Sequence, residues 1–318
     1  MTRAFVLSGG ASLGAIQVGM LQALFERRLT PDLIIGSQAG AINGAFLATR
    51  EPSVQTTQAL GALWHELRRG VFPSNPLAGL IGLMGRGDRL VAQGPLRKVV
   101  GRHLQVDRLE DMHVPLHVVV TDVLSGEELR LSAGPALDAV MASAAIPGVF
   151  SPIEFRGRAL MDGGVSDNTP ISHAVELGAD EIYVLPTGHA CALREPPRGA
   201  LAMLLHATSL LVQQRLLFDI DRYAERARLI VLPPPCPQGV EPTDFSHADE
   251  LIDGALITSR AFLKSIDPPD HRRADVTAAK LLGPIRTRPR HEPATRPSAG
   301  DRQPCHPRAI ARDARCHG

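Results

Sequence analysis

The chain has 318 residues, 44% hydrophobic and only 4% aromatic, enough for one large core built on aliphatic side chains. Its net charge of +1 hides an asymmetry: from His271 onward 11 Lys+Arg face 4 Asp+Glu, a surplus of +7, which leaves about −6 on the remainder. A body of that sign lacks the basic signature of nucleic-acid binding, and no uninterrupted apolar run is long enough to span a bilayer.

In chain order, residues 4–7 read as a buried strand that leads through a glycine turn into a helix at about 15–27. Residues 33–35 read as a second buried strand and 39–48 as the helix after it. A helix around 60–69 and a glycine-rich apolar stretch at 77–84 follow. That stretch is read equally as a cap that touches lipid or as a cap helix packed on the core. Residues 117–120 and 182–185 read as further buried strands, 201–226 and 249–263 as helices. Strands alternating with helices predict an α/β fold, a mainly parallel sheet with helices on both faces.

The expected organisation is a catalytic-type domain over 4–190, a helical part over 191–268 packed on it, and a disordered Arg/Pro-rich tail over 269–318. The strand at the N-terminus starts without a long apolar leader, so a cytoplasmic protein, with or without a peripheral membrane contact, is the expectation. Cys191, Cys236, Cys305 and Cys316 form no close pair in sequence, which indicates neither a disulfide framework nor a zinc site. No metal and no cofactor are expected.

Three separated pieces carry the chemistry. Ser8-Gly9-Gly10-Ala11-Ser12-Leu13-Gly14 joins the first strand to the first helix, where backbone N–H groups can face a developing oxyanion. Gly36-Ser37-Gln38-Ala39-Gly40 sits at the second strand–helix junction, with the glycine spacing of a nucleophile elbow. Its central residue is Gln38, whose neutral carboxamide donates and accepts hydrogen bonds but cannot be deprotonated to attack an ester. Leu160-Met161-Asp162-Gly163-Gly164 places a carboxylate at a strand end, positioned to act as a base. No histidine sits in a comparable setting, so a Ser/Asp pair fits this pattern better than a triad.

In this order the three motifs resemble the patatin-like phospholipase family, bacterial branch. Gly40-Ala41-Ile42-Asn43-Gly44-Ala45, Thr121-Asp122 with Ser125-Gly126, residues 142–150, and Asp167-Asn168-Thr169-Pro170 extend the likeness over about residues 4–190. The resemblance implies a three-layer α/β fold and a lipid or acyl-ester substrate. It implies a serine nucleophile at position 38, Asp162 as base, and oxyanion or substrate contacts from Gly9, Gly10, Ala11 and Gly14. Gly36, Ser37, Gly40, Asn43, Gly163 and Gly164 then support the elbow and loops. Two departures stand out: Ala11 replaces a customary glycine with Leu13 in place of a base, and Gln38 replaces the nucleophile. Ser37, the neighbouring hydroxyl, is read as a structural turn serine, because adjacent side chains on a tight turn diverge. Two functions stay open: a lipid acyl hydrolase with impaired or absent catalysis, and an inactive lipid- or acyl-binding or regulatory protein that keeps the pocket.

Overall fold

The computed structural model describes residues 1–70, 92–188, 196–236 and 240–266. All of these lie in one compact unit, Met1–Gly283. The apolar stretch at 77–84 and the tail at 269–318 fall outside the described residues.

Five strands make the parallel part of a single sheet: β1 (Arg3–Leu7), β2 (Leu33–Ser37), β3 (Leu116–Asp122), β7 (Glu181–Leu185) and β8 (Arg228–Val231). Their order is β3-β2-β1-β7-β8. β4 (Glu128–Leu131), β5 (Ile153–Phe155) and β6 (Arg158–Asp162) are antiparallel and gather at the β3 side. The sheet is therefore mixed, with its parallel strands in the middle and at one edge. Parallel strands buried on both faces need near-continuous apolar runs, as 4–7, 33–35 and 182–185 supply.

Successive side chains of β1 serve opposite layers. Phe5 and Leu7 join the core under α1 (Ile16–Glu26), α2 (Ala39–Ala48), α3 (Val54–Gly70), α5 (Ala136–Ser143) and α8 (Ala248–Ser265). Ala4 and Val6 join the opposite core, built with α6 (Ile171–Glu176) and α7 (Ala200–Tyr223). This gives three layers, helices over both faces of one sheet. α4 (Gly94–His103) begins with a proline in its first turn, where the missing N–H costs nothing.

Every residue of α2 is buried. Its many Ala and Gly residues let it lie close against the sheet. The tightest point is Gly40, where an added Cβ would overlap the Leu7 carbonyl oxygen at the end of β1. That approach holds the start of α2 beside the loop that leaves β1.

Cys236 is disulfide-bonded, which corrects the expectation drawn from cysteine spacing. Its partner lies outside the described residues. Distance along the chain is a poor guide here, because the fold decides which thiols meet.

Because backbone rather than a flexible side chain opposes a Cβ at position 40, Gly40→Ala should destabilise the fold by roughly 3 kcal/mol, read by chemical denaturation.

Candidate active site

The loop after β1 and the turn after β2 both leave at the carboxyl ends of parallel strands, beside the point where the sheet changes direction of winding. The turn after β2 centres on Gln38, which has φ 52° and ψ −114° and caps α2. A positive φ at a residue with a Cβ is strained, at a cost on the order of 1–3 kcal/mol. The same backbone geometry lifts a side chain out of the strand and into a cleft, which is what a nucleophile elbow does. Ser143 at the end of α5 secures it: its Oγ accepts from Gln38 N–H at 2.9 Å and donates to the Val119 carbonyl at 2.6 Å.

Sheet register brings Asp162 to the elbow. Ser37 pairs with Val119 on β3, and Asp162, running the opposite way on β6, pairs with the next residue, Val120. β4 occupies the other edge of this part of β3, so β2 and β6 meet end to end along the same edge. Asp162 is 4% exposed, and burial pushes its carboxyl up to about 6 from an ordinary 3.8. Two hydrogen bonds oppose that shift: Gly164 N–H donates to Oδ1 at 2.7 Å, and Gln38 Nε2 donates to Oδ2 at 2.5 Å.

The other end of the Gln38 carboxamide sits in the glycine loop. Its Oε1 accepts from Gly10 N–H at 2.5 Å and from Ala11 N–H at 2.8 Å. Two converging backbone donors on one oxygen are the geometry of an oxyanion hole. Gln38 thus meets both N–H groups with its own carbonyl and binds Asp162 with its own amide.

Of the residues expected here, the structure brings Gln38, Asp162, Gly10 and Ala11 into direct contact. Gly9 lies beside them, but its N–H donates to the Asn168 carbonyl at 3.1 Å. A Cβ at Gly9 would meet both Asn168 Oδ1 and the Gln38 side chain. Gly14 is buried one turn further, packed against Trp64 and Ala39. Gly36 packs against Gly40, and Gly163 packs against the Val119 carbonyl and Ser37 Oγ. Ser37 is fully buried and its hydroxyl has no hydrogen-bond partner, so it faces away from the carboxamide contacts. Ala11 has φ 50°, a conformation that glycine adopts at less cost.

Asn43 turns out to be a keystone under the glycine loop. Its amide donates to the Gly14 carbonyl at 3.0 Å and to Gln17 Oε1 at 2.8 Å, and it accepts from Trp64 Nε1 at 3.0 Å. Gln17 in turn donates to the carbonyls of Ser8 and Leu185, each at 2.9 Å. Sequence reasoning missed Gln17, Trp64 and Thr187, whose Oγ1 donates to the Gly9 carbonyl at 2.5 Å, and had Asn168 only as part of a segment of the family likeness. A polar residue amid the apolar run of α1 was the available signal for Gln17. Among the described residues, no group of three or more His, Cys, Asp or Glu is placed to hold a metal ion.

Ser143→Ala removes the hydroxyl that pairs with the part-buried Gln38 N–H and with the buried Val119 carbonyl. It should lower unfolding free energy by about 2 kcal/mol in a denaturant titration.

Over 177 residues the chain is 32% identical to an uncharacterised NTE family protein of Mycobacterium tuberculosis, covering 56% of this chain and 46% of that one. A lysophospholipase of Aspergillus terreus is 27% identical over 206 residues, 58% of this chain and 12% of the relative. The chain spans less than half the length of these curated relatives. Among solved structures, VipD from Legionella pneumophila aligns with a TM-score of 0.45 and 16% identity, covering 83% of this chain and 67% of that one. The patatin-like phospholipase family matches residues 5–175, more than half of the chain and the stretch that holds the glycine loop, the elbow and Asp162, and the chain belongs to that family.

Proposed function

We propose that this chain is a patatin-like lipid acyl hydrolase scaffold whose ester hydrolysis is switched off at the nucleophile position. The observation that carries the reading is the placement of the Gln38 carboxamide, bonded at once to Gly10 N–H, Ala11 N–H and Asp162 Oδ2. In a hydrolase of this design a serine hydroxyl at position 38 gives its proton to Asp162 and attacks the ester carbonyl. The carbonyl oxygen then takes its negative charge into the two N–H groups. Gln38 offers no oxygen that can attack, and its carbonyl takes the place the substrate's carbonyl needs.

The substrate class in this reading is a lipid acyl ester. Family membership supports it, and so does the lysophospholipase among the relatives. The rest of the machinery is present in this reading: two aligned donors, a strained elbow, and a buried carboxylate with a raised pKa. A carboxyl that titrates at about 6 rather than 3.8 is the stronger base once ionised, and it is still ionised at neutral pH.

The test compares the chain as it stands with Gln38→Ser on a p-nitrophenyl acyl ester and a fluorophosphonate probe. The unmodified chain should neither turn over the ester nor take the label. Gln38→Ser should take the label at position 38 and gain on the order of 10⁴-fold or more in rate. Turnover by the unmodified chain would overturn the reading. Asp162 must be ionised to accept the proton, and losing the Gln38 amide bond removes one of the contacts that hold its pKa down, so activity of Gln38→Ser should be lost as pH falls, with a midpoint no lower than about 6.

A further inference from the structure

The carboxamide of Gln38 is itself an acyl compound, and it lies where an acyl substrate would lie. Its carbonyl oxygen takes two backbone N–H bonds, from Gly10 at 2.5 Å and Ala11 at 2.8 Å. These polarise the Cδ–Oε1 bond and are aimed at the oxygen on which a tetrahedral intermediate collects charge. Its nitrogen, the group that would leave, lies 2.5 Å from Asp162 Oδ2. The Gln38 side chain is half-buried rather than sealed. An amide with donors on its oxygen and a carboxylate on its nitrogen needs only the addition of water to be hydrolysed.

We infer that Gln38 is a self-modification site: the oxyanion loop and Asp162 hydrolyse the Gln38 carboxamide to the carboxylate of Glu, releasing ammonia. Water's oxygen forms the new bond to Cδ as the Asp162 carboxylate takes one of its protons. The carbonyl pair moves onto Oε1, held by the Gly10 and Ala11 N–H groups. When that pair returns, the Cδ–Nε2 bond breaks and the nitrogen leaves with the bonding pair. It takes the proton back from Asp162 and departs as ammonia. One water is consumed, and no oxidant, metal or outside nucleophile is required.

The step needs Asp162 ionised, so its rate rises with pH through about 6. Its product sets two carboxylates, at positions 38 and 162, within hydrogen-bond reach of one another. Such a pair cannot hold two full charges at that spacing and shares a proton. The chain would leave synthesis with a neutral plug and acquire a proton-sharing acid pair with time.

The chain supplies its own clock. Gln22 also points its amide nitrogen at a carboxylate, Glu26 Oε1 at 3.0 Å, but on an exposed helix face outside the site. Purified folded protein, incubated at pH 7 and then digested, is analysed by mass spectrometry for Glu in place of Gln at both positions. Gln38 should convert on the order of 10²-fold faster than Gln22, the worth of the paired donors. The advantage should vanish when the same chain is incubated in urea, and Asp162→Asn should slow it. The inference is overturned if folded Gln38 converts no faster than Gln22. It is overturned equally if the unfolded chain or Asp162→Asn keeps the advantage. The readout is the mass of one peptide rather than ester turnover, so this result and the outcome for Gln38→Ser stand apart.

Discussion

The site depends on one strand edge. β3 offers residues up to Val119 to β2 and the residues from Val120 onward to β6, which arrives from the opposite direction. Two strand ends therefore abut, one releasing the elbow and the other ending in Asp162. No loop has to be folded back to bring residues 38 and 162 together, although 124 positions separate them. The hydrogen-bond ladder sets their separation, and strand register is far stiffer than a loop. The same strand anchors Ser143 through the Val119 carbonyl, and Ser143 holds the strained backbone at Gln38. The cost of that positive φ is met by packing on all sides: Gly36 against Gly40, and Gly40 against the end of β1.

The chemistry of residue 38 answers two opposite demands. Gly10 and Ala11 present N–H groups that need an acceptor, while buried Asp162 needs a donor. Among ordinary side chains, a carboxamide supplies both from one rigid planar end. A methionine or leucine of similar length would leave all three groups unpaired. A glutamate would satisfy the two N–H groups but could bind Asp162 only by sharing a proton with it. The Gln38 carboxamide is therefore matched to the three groups around it.

The parallel centre of the sheet was legible because strands buried on both faces are written as short apolar runs, and α1, α2 and the elbow follow directly from them. The antiparallel margin was not. β4 is half-exposed and carries Glu128 and Arg130, and β5 has only three residues, so neither shows a clean period. Asp162 was recognisable from its glycines, but the edge of β3 that it shares with Gln38 is a property of pairing, which no local pattern records. The N–H groups of the glycine loop follow the same rule. Motif reasoning pointed to Gly9, Gly10, Ala11 and Gly14 together; backbone direction then sorts them, giving Gly10 and Ala11 to the carboxamide and turning Gly9 toward Asn168. Gln17 and Trp64 escaped notice because each lies in a helix whose apolar neighbours already explain its burial.

That hidden network decides how much of the machinery depends on residue 38. The glycine loop is held from beneath by Gln17 and Asn43 and from the side by Asn168 and Thr187. None of these four bonds involves Gln38. Asp162 is likewise held apart from it, by Gly164 N–H at its carboxylate and by Thr121 Oγ1 at its backbone carbonyl. Catalytic donors do their work by being fixed before the charge appears, since that removes the cost of reorganising them. In the proposed reading, Gly10, Ala11 and Asp162 are each fixed by other residues, so their preorganisation does not depend on the side chain the elbow presents. The contacts that hold the glycine loop and Asp162 are thus set by the fold, and residue 38 is the one partner they share.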